Sequence, residues 1–242
     1  MKTTHKYKNP PLFESVFELF YTTKSWSSIV PGKFYDEVKD KFPKTPQNRE
    51  RLGVMLNDKE LKIGDNNLIQ YKNEKKDTII QLSQNLLTVN KLPKYEGWEK
   101  YVETIVYAVN ALKRVLELDN INRIGLKVIN KIDIQSHSLE SLKKYLTIYP
   151  TIPKNLLNKV NGIRLTVESP LIENEEVLLM LLNTLQKEEN YEAPIMFQLY
   201  ITRISKVPED YKDWLEHAHS TLHKTFIESL TDFCKKQFDD YD

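Results

Sequence analysis

The sequence is poor in the residue types that many known sites require. Its 242 residues include one cysteine, Cys234, and only six glycines. A single cysteine cannot form a disulfide within the chain, and it excludes the zinc sites built from several cysteines. Neither a G-x-x-x-x-G-K nor a G-x-G-x-x-G pattern is present, so a phosphate-binding loop of the usual kind is not expected.

Long apolar runs and an excess of one charge are also missing. The longest strongly apolar run, Val177–Leu182, is far shorter than the roughly 20 residues that span a bilayer. The start, MKTTHKYKNPP, lacks the apolar segment of a signal peptide. Lysines and arginines total 35 against 34 aspartates and glutamates, for a formal net charge of +1. We therefore predict a cytoplasmic protein with no membrane partner and no cofactor, and nucleic-acid binding would need a local basic patch.

What is present is a mixture of strand and helix periodicity, which predicts an α+β fold. Helices are predicted at Ile29–Phe42, Trp98–Leu118, Leu139–Tyr149 and Asp213–Gln237. The segment Val177–Leu185 is read as a strand, although a buried helix is the open alternative. The other predicted strands are Phe13–Tyr21, Leu52–Asn57, Leu68–Lys72, Thr78–Leu82, Leu86–Asn90, Asn122–Ile134, Gly162–Glu168 and Ile195–Ser205.

Two pairs of similar segments indicate an internal repeat. FPKTPQ (Phe42–Gln47) and YPTIPK (Tyr149–Lys154) both place an aromatic residue before P-x-x-P, after the first helix of their half. VNKLPKYEGW (Val89–Trp98) and ISKVPEDYKDW (Ile204–Trp214) both run from a strand to a tryptophan that opens a helix. Proline near a helix end is common, so either pair alone is weak, but both occur in the same order.

From these pairs we predict two tandem β-α-β(3–4)-α pseudo-repeats, residues 1–119 and 120–242, packed as one unit. The sheet is expected to be mainly antiparallel and saddle-like, with the helices on one face. Glu14 and Glu18 share one face of the first strand, and Arg123 and Lys127 share the exposed-looking face of the corresponding strand. These charges either pair across a pseudo-twofold axis or are solvated separately, and exposed pairs contribute only about 0–1 kcal/mol.

The stretch EHAHSTLH, Glu216–His223, holds three of the five histidines. On a helix, Glu216, His219 and His223 share one face, and the two histidines have the i,i+4 spacing that a divalent ion can use. His217 points nearly the opposite way from the apolar stripe. Because Ser220 stands where the zincin pattern H-E-x-x-H requires glutamate, hydrogen-bonded histidines at the edge of the core are the favoured interpretation over a metal site.

Three segments resemble a sporadically distributed prokaryotic family of similar length. They are NPPLFESVFEL (Asn9–Leu19), RIGLKVINKI (Arg123–Ile132) and WLEHAHSTLHKTFIESLT (Trp214–Thr231). The chain departs from the family pattern at Lys127, where arginine is usual, and at Val128, where tyrosine is usual. The patchy distribution implies genes carried on mobile or defence-associated islands.

The resemblance also implies polar site candidates, namely Glu14, Arg123, Asn130 and His219. Asn130 is a candidate on physical grounds as well, because it falls on the apolar face of its strand. A buried asparagine needs hydrogen-bond partners, and a polar network with His219 would supply them.

Three functions remain as hypotheses. The first is a non-catalytic binding or accessory protein, a subunit of a phage-defence or toxin–antitoxin locus, with a protein partner encoded nearby. The second is a binder of nucleic acid or a small ligand through the open sheet face, and the third is a metal-dependent hydrolase or nuclease built on Glu216, His219 and His223 or on Glu14 and Arg123. Self-association into a homo-oligomer stays open in each case.

Overall fold

The computed structural model describes residues 7–50, 67–93, 96–134, 139–153, 155, 162–173, 175–184, 194–208 and 210–239. None of the helices within these ranges is long and apolar enough to cross a membrane. The helices are α1 (Val30–Val38), α2 (Trp98–Val115), α3 (Leu139–Tyr145), α4 (Lys212–Ser229) and α5 (Asp232–Gln237). The strands are β1 (Leu12–Thr22), β2 (Gln47–Glu50), β3 (Asn67–Lys72), β4 (Thr78–Ser83), β5 (Leu86–Lys91), β6 (Asn120–Ile132), β7 (Arg164–Ile172), β8 (Glu176–Thr184) and β9 (Ile195–Arg203).

The fold is α+β, with an open antiparallel sheet of nine strands in the order β2-β3-β4-β5-β1-β6-β9-β8-β7. Strand β1 is the neighbour of β5, the last strand before α2, and β6 is the neighbour of β9, the last strand before α4. Most of the predicted elements are confirmed to within a few residues. Strand β2 was not predicted, and the predicted strand Leu52–Asn57 lies outside the described residues.

Residue contacts divide the chain into two compact units, and the boundary falls inside β1 and β6. The predicted halves, 1–119 and 120–242, differ from this division chiefly in the placement of the N-terminal segment. Unit 1 comprises Met1–Ser15, Leu126–Arg203 and Pro208–Asp242, and unit 2 comprises Val16–Gly125 and Ile204–Val207.

In unit 2, both helices pack against one face of the sheet. The apolar stripe Tyr101, Ile105, Ala108 and Leu112 of α2 is buried, and the Tyr101 hydroxyl donates to the carbonyl of Val89 on β5 over 2.8 Å. Helix α1 begins with Pro31 in its first turn. Its Phe34 ring lies 5.0 Å from the Tyr71 ring on β3, and the Tyr71 hydroxyl donates to the Pro31 carbonyl over 2.9 Å.

Gln84 and Asn85 form a tight turn between β4 and β5. Ser83 and Leu86 are the last paired residues of β4 and β5, so the two residues between them close the hairpin. The fully buried Tyr21 of β1 donates its hydroxyl to the Ser83 carbonyl over 2.6 Å. Strand β1 is thereby joined to the hairpin from the core side.

In unit 1, the segment Val177–Leu185, for which a buried helix was the alternative, forms most of strand β8. Strand β8 pairs along its whole length with β7 on one side and β9 on the other. Helix α4 packs on β9, where the Phe197 and Phe226 rings lie 6.2 Å apart. The alternate β8 residues Val177, Leu179 and Leu181 are half-buried, so an apolar run on both faces belongs here to a strand with two paired neighbours.

The single closing helix predicted over Asp213–Gln237 is wrong, because it is broken into α4 and α5. Leu230 is extended, with φ −101° and ψ 141°, and it forms an isolated bridge with Leu146 after α3. The hydroxyl oxygen of Thr231 then accepts a hydrogen bond from the Cys234 backbone N–H over 3.2 Å and so caps α5. Pairing with the α3 region therefore outweighs continuation of the helix.

We expect Thr231→Ala to lower the free energy of unfolding by about 1 kcal/mol, because it removes this cap. The hydroxyl also donates to the Lys144 carbonyl over 2.6 Å, so Thr231→Ser should retain nearly wild-type stability. Urea unfolding followed by circular dichroism measures the difference. Equal stability of Thr231→Ala and wild type would show that the cap does not stabilise α5.

Candidate functional site

The histidine face of α4 does not form a convergent site. Glu216 is exposed, whereas His219 and His223 are half-buried, with ring centroids 6.5 Å apart and planes inclined by 42°. Burial lowers the pKa of His223, which favours its neutral form. Across the described part of the chain, no group of three or more histidines, cysteines, aspartates or glutamates is placed to hold a metal ion.

Sequence reasoning missed a buried carboxylate that contacts the same helix. Glu176, at the start of β8, has a fully buried side chain. Its Oε2 accepts a hydrogen bond from Trp214 Nε1 over 2.6 Å, and its Oε1 lies 3.2 Å from His217 Nε2. Arg203 Nη1, at the end of β9, lies 3.7 Å from Oε2, while Arg203 Nη2 contacts Glu175 at 2.9 Å.

These contacts make Glu176 an anchor between the sheet and the first turns of α4. A buried carboxylate is tolerated only when donors and opposite charge surround it, and Trp214, Arg203 and His217 supply both. His217 points away from the apolar stripe, as predicted, and its side chain is 56% exposed, yet its ring reaches this carboxylate. The groups satisfy one another, which indicates a structural role.

The other predicted polar candidates of unit 1 are held by neighbouring strands. Asn130 is 3% exposed, and its Nδ2 donates to the Phe197 carbonyl over 3.5 Å rather than to His219. The Lys127 ammonium lies 5.0 Å from the centroid of the Tyr200 ring. Glu14 is half-buried on β1. Asn130 thus has its hydrogen-bond partner on β9 and not in the predicted network with His219.

Unit 2 has a sheet face opposite to the one that α1 and α2 contact, and we call it the helix-free face. Cross-strand partners lie on the same face of a sheet, which joins Gln70, Gln81 and Thr88 in one row and Lys72, Ile79 and Asn90 in another. On β1, the fully buried Phe17, Leu19 and Tyr21 belong to the core. Among the described side chains, the helix-free face includes Glu18, Phe20, Gln47, Leu68, Gln70, Lys72, Ile79, Gln81, Ser83, Leu86, Thr88, Asn90 and Arg123.

Uncharged polar groups dominate the β4–β5 part of this face. The Thr88 hydroxyl lies 2.8 Å from Asn90 Oδ1 and 3.4 Å from Gln81 Oε1. Thr88 is 4% exposed, whereas Gln81 and Asn90 are half-buried. These amides are therefore oriented by their neighbours and still reach the surface, an arrangement suited to hydrogen bonding with a partner.

Arg123 is the unusual charge on the helix-free face. Its guanidinium carbon lies 3.7 Å from the centroid of the Phe20 ring, a close cation–π contact. Its Nε is buried and has no hydrogen-bond partner, and within the described ranges the guanidinium makes no ion pair. A buried donor without an acceptor typically costs about 1–3 kcal/mol, so this position sacrifices stability.

A surface cleft of 290 Å³ also lies in unit 2, lined by Lys91, Asp77, Tyr107 and others. Lys91 Nζ lies 3.2 Å from Asp77 Oδ1, and both side chains are almost covered. Burial alone would raise the pKa of Asp77, but hydrogen bonds from Asn73, Lys91 and Thr78 outweigh it and lower that pKa. Lys91 and Asp77 neutralise each other, and the Asn73 side chain accepts from the backbone N–H groups of Asp77 and Thr78. These contacts indicate that the cleft has a structural role.

Comparison with solved structures gives distant likenesses. The substrate-free duplicated taurocyamine kinase from Schistosoma mansoni matches over 94% of this chain and 35% of its own, with a TM-score of 0.42 and 11% sequence identity. The chain thus spans about a third of that protein's length, and a likeness of this degree supports no inference about function. No protein-family model and no curated protein sequence matches the chain.

We expect Glu176→Ala to lower the free energy of unfolding by about 2–3 kcal/mol. The substitution removes a charged acceptor and leaves the buried Trp214 N–H without a hydrogen-bond partner. Glu176→Gln should lose less, since an amide oxygen can still accept from Trp214. Chemical denaturation monitored by tryptophan fluorescence measures both. Glu216→Ala, an exposed change on the same helix, is the matched control and should shift stability by less than about 0.5 kcal/mol.

Cys234 should be unreactive in the folded protein. Burial is the main cause that raises the pKa of its thiol to about 12, so the thiol stays protonated at neutral pH and the nucleophilic thiolate is scarce. Alkylation by iodoacetamide at pH 8 should be at least about 100 times slower than in the urea-unfolded chain. Equal rates in the two states would contradict a buried, protonated thiol.

Proposed function

We propose that this chain is a non-catalytic binding protein and that it engages a protein partner through the helix-free face of unit 2. The observation that carries the proposal is Arg123, a guanidinium held over Phe20 without a hydrogen bond or ion pair to any described residue. On the same face, the half-buried amides of Gln81 and Asn90 are oriented by the buried Thr88 hydroxyl. Arginine and aromatic residues are enriched at the centres of protein interfaces.

A protein fits this face better than a nucleic acid. Duplex or single-stranded nucleic acid is bound by several cations that neutralise phosphates. The described side chains of the helix-free face include two cations, Arg123 and Lys72, and the carboxylate of Glu18, and the whole chain has a net charge of only +1. Uncharged hydrogen-bonding groups around one arginine match a mixed polar protein surface instead.

The proposed identity of the partner rests on the family resemblance. A family carried on mobile or defence-associated islands is expected to work with the products of adjacent genes. We therefore propose an accessory subunit of a phage-defence or toxin–antitoxin locus, with its partner encoded nearby.

The proposed duplication is supported by the order of elements. From β1 to α2 the order of elements is β-α-β-β-β-β-α, and from β6 to α4 it is β-α-β-β-β-α. In both runs the first strand is the sheet neighbour of the last strand, and the strands between follow in reverse order. An ancestral unit of this kind, copied once, accounts for both runs, and a saddle-like shape remains part of that proposal.

We expect Gln81→Arg to abolish complex formation with the partner, because it places a bulky charge in the middle of the helix-free face. The test is co-purification and size-exclusion chromatography with light scattering, using the products of the adjacent genes. Asn110→Arg, the same change of an amide to arginine on the exposed side of α2, is the matched control and should leave binding intact.

A complex that survives Gln81→Arg would place the interface elsewhere and contradict the proposed face. If no neighbouring gene product binds and the protein is instead retained on nucleic acid in a salt-dependent way, the alternative of a nucleic-acid binder replaces a protein partner.

A further inference from the structure

We infer that Arg123 is a recognition point for a single carboxylate, presented by an aspartate or glutamate side chain of the partner protein. The inference rests on the proposed function and adds the chemistry of its central contact. It follows from three properties of this guanidinium: how it is held, which of its nitrogens are accessible, and what surrounds it.

The guanidinium is held in advance of binding. Its central carbon lies 3.7 Å from the centroid of the Phe20 ring, and this contact restricts the side chain, so that less freedom is lost when an anion binds. An arginine kept only for folding would be expected to pair with a carboxylate or a carbonyl of its own chain. Arg203 and Arg114 do so, with Glu175 and Glu37.

The accessible nitrogens are the two terminal ones. Nε is covered and has no acceptor, and it is the one side-chain nitrogen or oxygen in the described part of the chain with both properties. Nη1 and Nη2 have no hydrogen bond to a described residue, and neither is a buried nitrogen without a partner. Two parallel N–H donors at this spacing match the two oxygens of a carboxylate.

The surroundings favour one anion over many. Glu18, 6% exposed on the same face of β1 as Phe20, adds negative potential, and Thr88, Gln81 and Asn90 are neutral. Among the described side chains of this face, a polyanion would meet this carboxylate and one further cation, Lys72. An isolated acidic side chain within a polar protein surface has no such conflict.

The first test needs no partner protein. Sodium acetate, which carries the carboxylate of an aspartate side chain, is titrated into the wild-type protein at constant ionic strength, with the guanidinium resonances of Arg123 followed by NMR. We expect a saturable shift of its Nη–H signals and slowed rotation about the Nε–Cζ bond. Arg114, already paired with Glu37, is the internal reference and should stay nearly unchanged.

Sodium phosphate forms the second arm of the titration. A response to acetate supports carboxylate recognition, whether or not phosphate also binds. A response to phosphate alone overturns the carboxylate and favours a phosphate ligand. No response to either anion overturns the inference and leaves the stack on Phe20 as a structural contact.

The second test uses the complex, once a partner has been identified. Arg123→Gln should weaken binding at least about 30-fold, and Arg123→Lys about tenfold, because an ammonium cannot present two donors in one plane. Arg114→Gln is the matched control and should leave the affinity unchanged. Thermal unfolding of each variant verifies folding. Failure to find a partner defeats the proposed function alone, whereas unchanged affinity in Arg123→Gln defeats this inference alone.

Discussion

The alternation of side chains along each strand is the constraint on which the rest of the structure depends. In β1, Phe17, Leu19 and Tyr21 point into the core of unit 2 and are fully buried, which sends Glu18 and Phe20 to the other face. Helices α1 and α2 cover the first face, through Tyr71 and Val89. The helix-free face is therefore a direct consequence of the core. Because alternate residues of a strand point to opposite faces, the residues between the buried apolar ones lie together on the other face of the sheet.

Two charges illustrate the difference between a structural and a functional polar group. Glu176 is completely removed from solvent, and each of its oxygens has a donor, so its burial is matched by contacts from α4 and β9. Arg123 is only partly covered, stacks on an aromatic ring and has no acceptor among the described residues. Because the fold surrounds Glu176 with donors, it could also have supplied an acceptor for Arg123. The unpaired guanidinium is better explained by what it binds than by what it stabilises.

Much of the fold could be predicted because it depends on local periodicity. The alternation in Phe13–Tyr21 and Asn122–Ile134 and the stripe from Tyr101 to Leu112 each report their own element, without information from elsewhere in the chain. The closing helix failed for the opposite reason. Its break at Leu230 is caused by a bridge to Leu146, a residue far away in sequence, and a helical stripe running through that position carries no trace of the bridge. Helix α5 does have a local cap at Thr231, a signal that the sequence contained.

The polar sites were predictable only in part, since a charge is defined by its partner as much as by its position. Arg123 was identified as exposed on its strand, but the Phe20 ring beneath it was not, because a stack between two strands leaves no local pattern. Glu176 was missed altogether: its donors lie 38 and 41 residues away, at Trp214 and His217. Helix geometry correctly placed His217 away from the apolar stripe of α4, but it did not predict the contact with Glu176. A residue that points away from this stripe can still reach the core of the unit. An amphipathic helix that meets a sheet at its first turn has a second contact surface, and polar residues there can reach a buried partner.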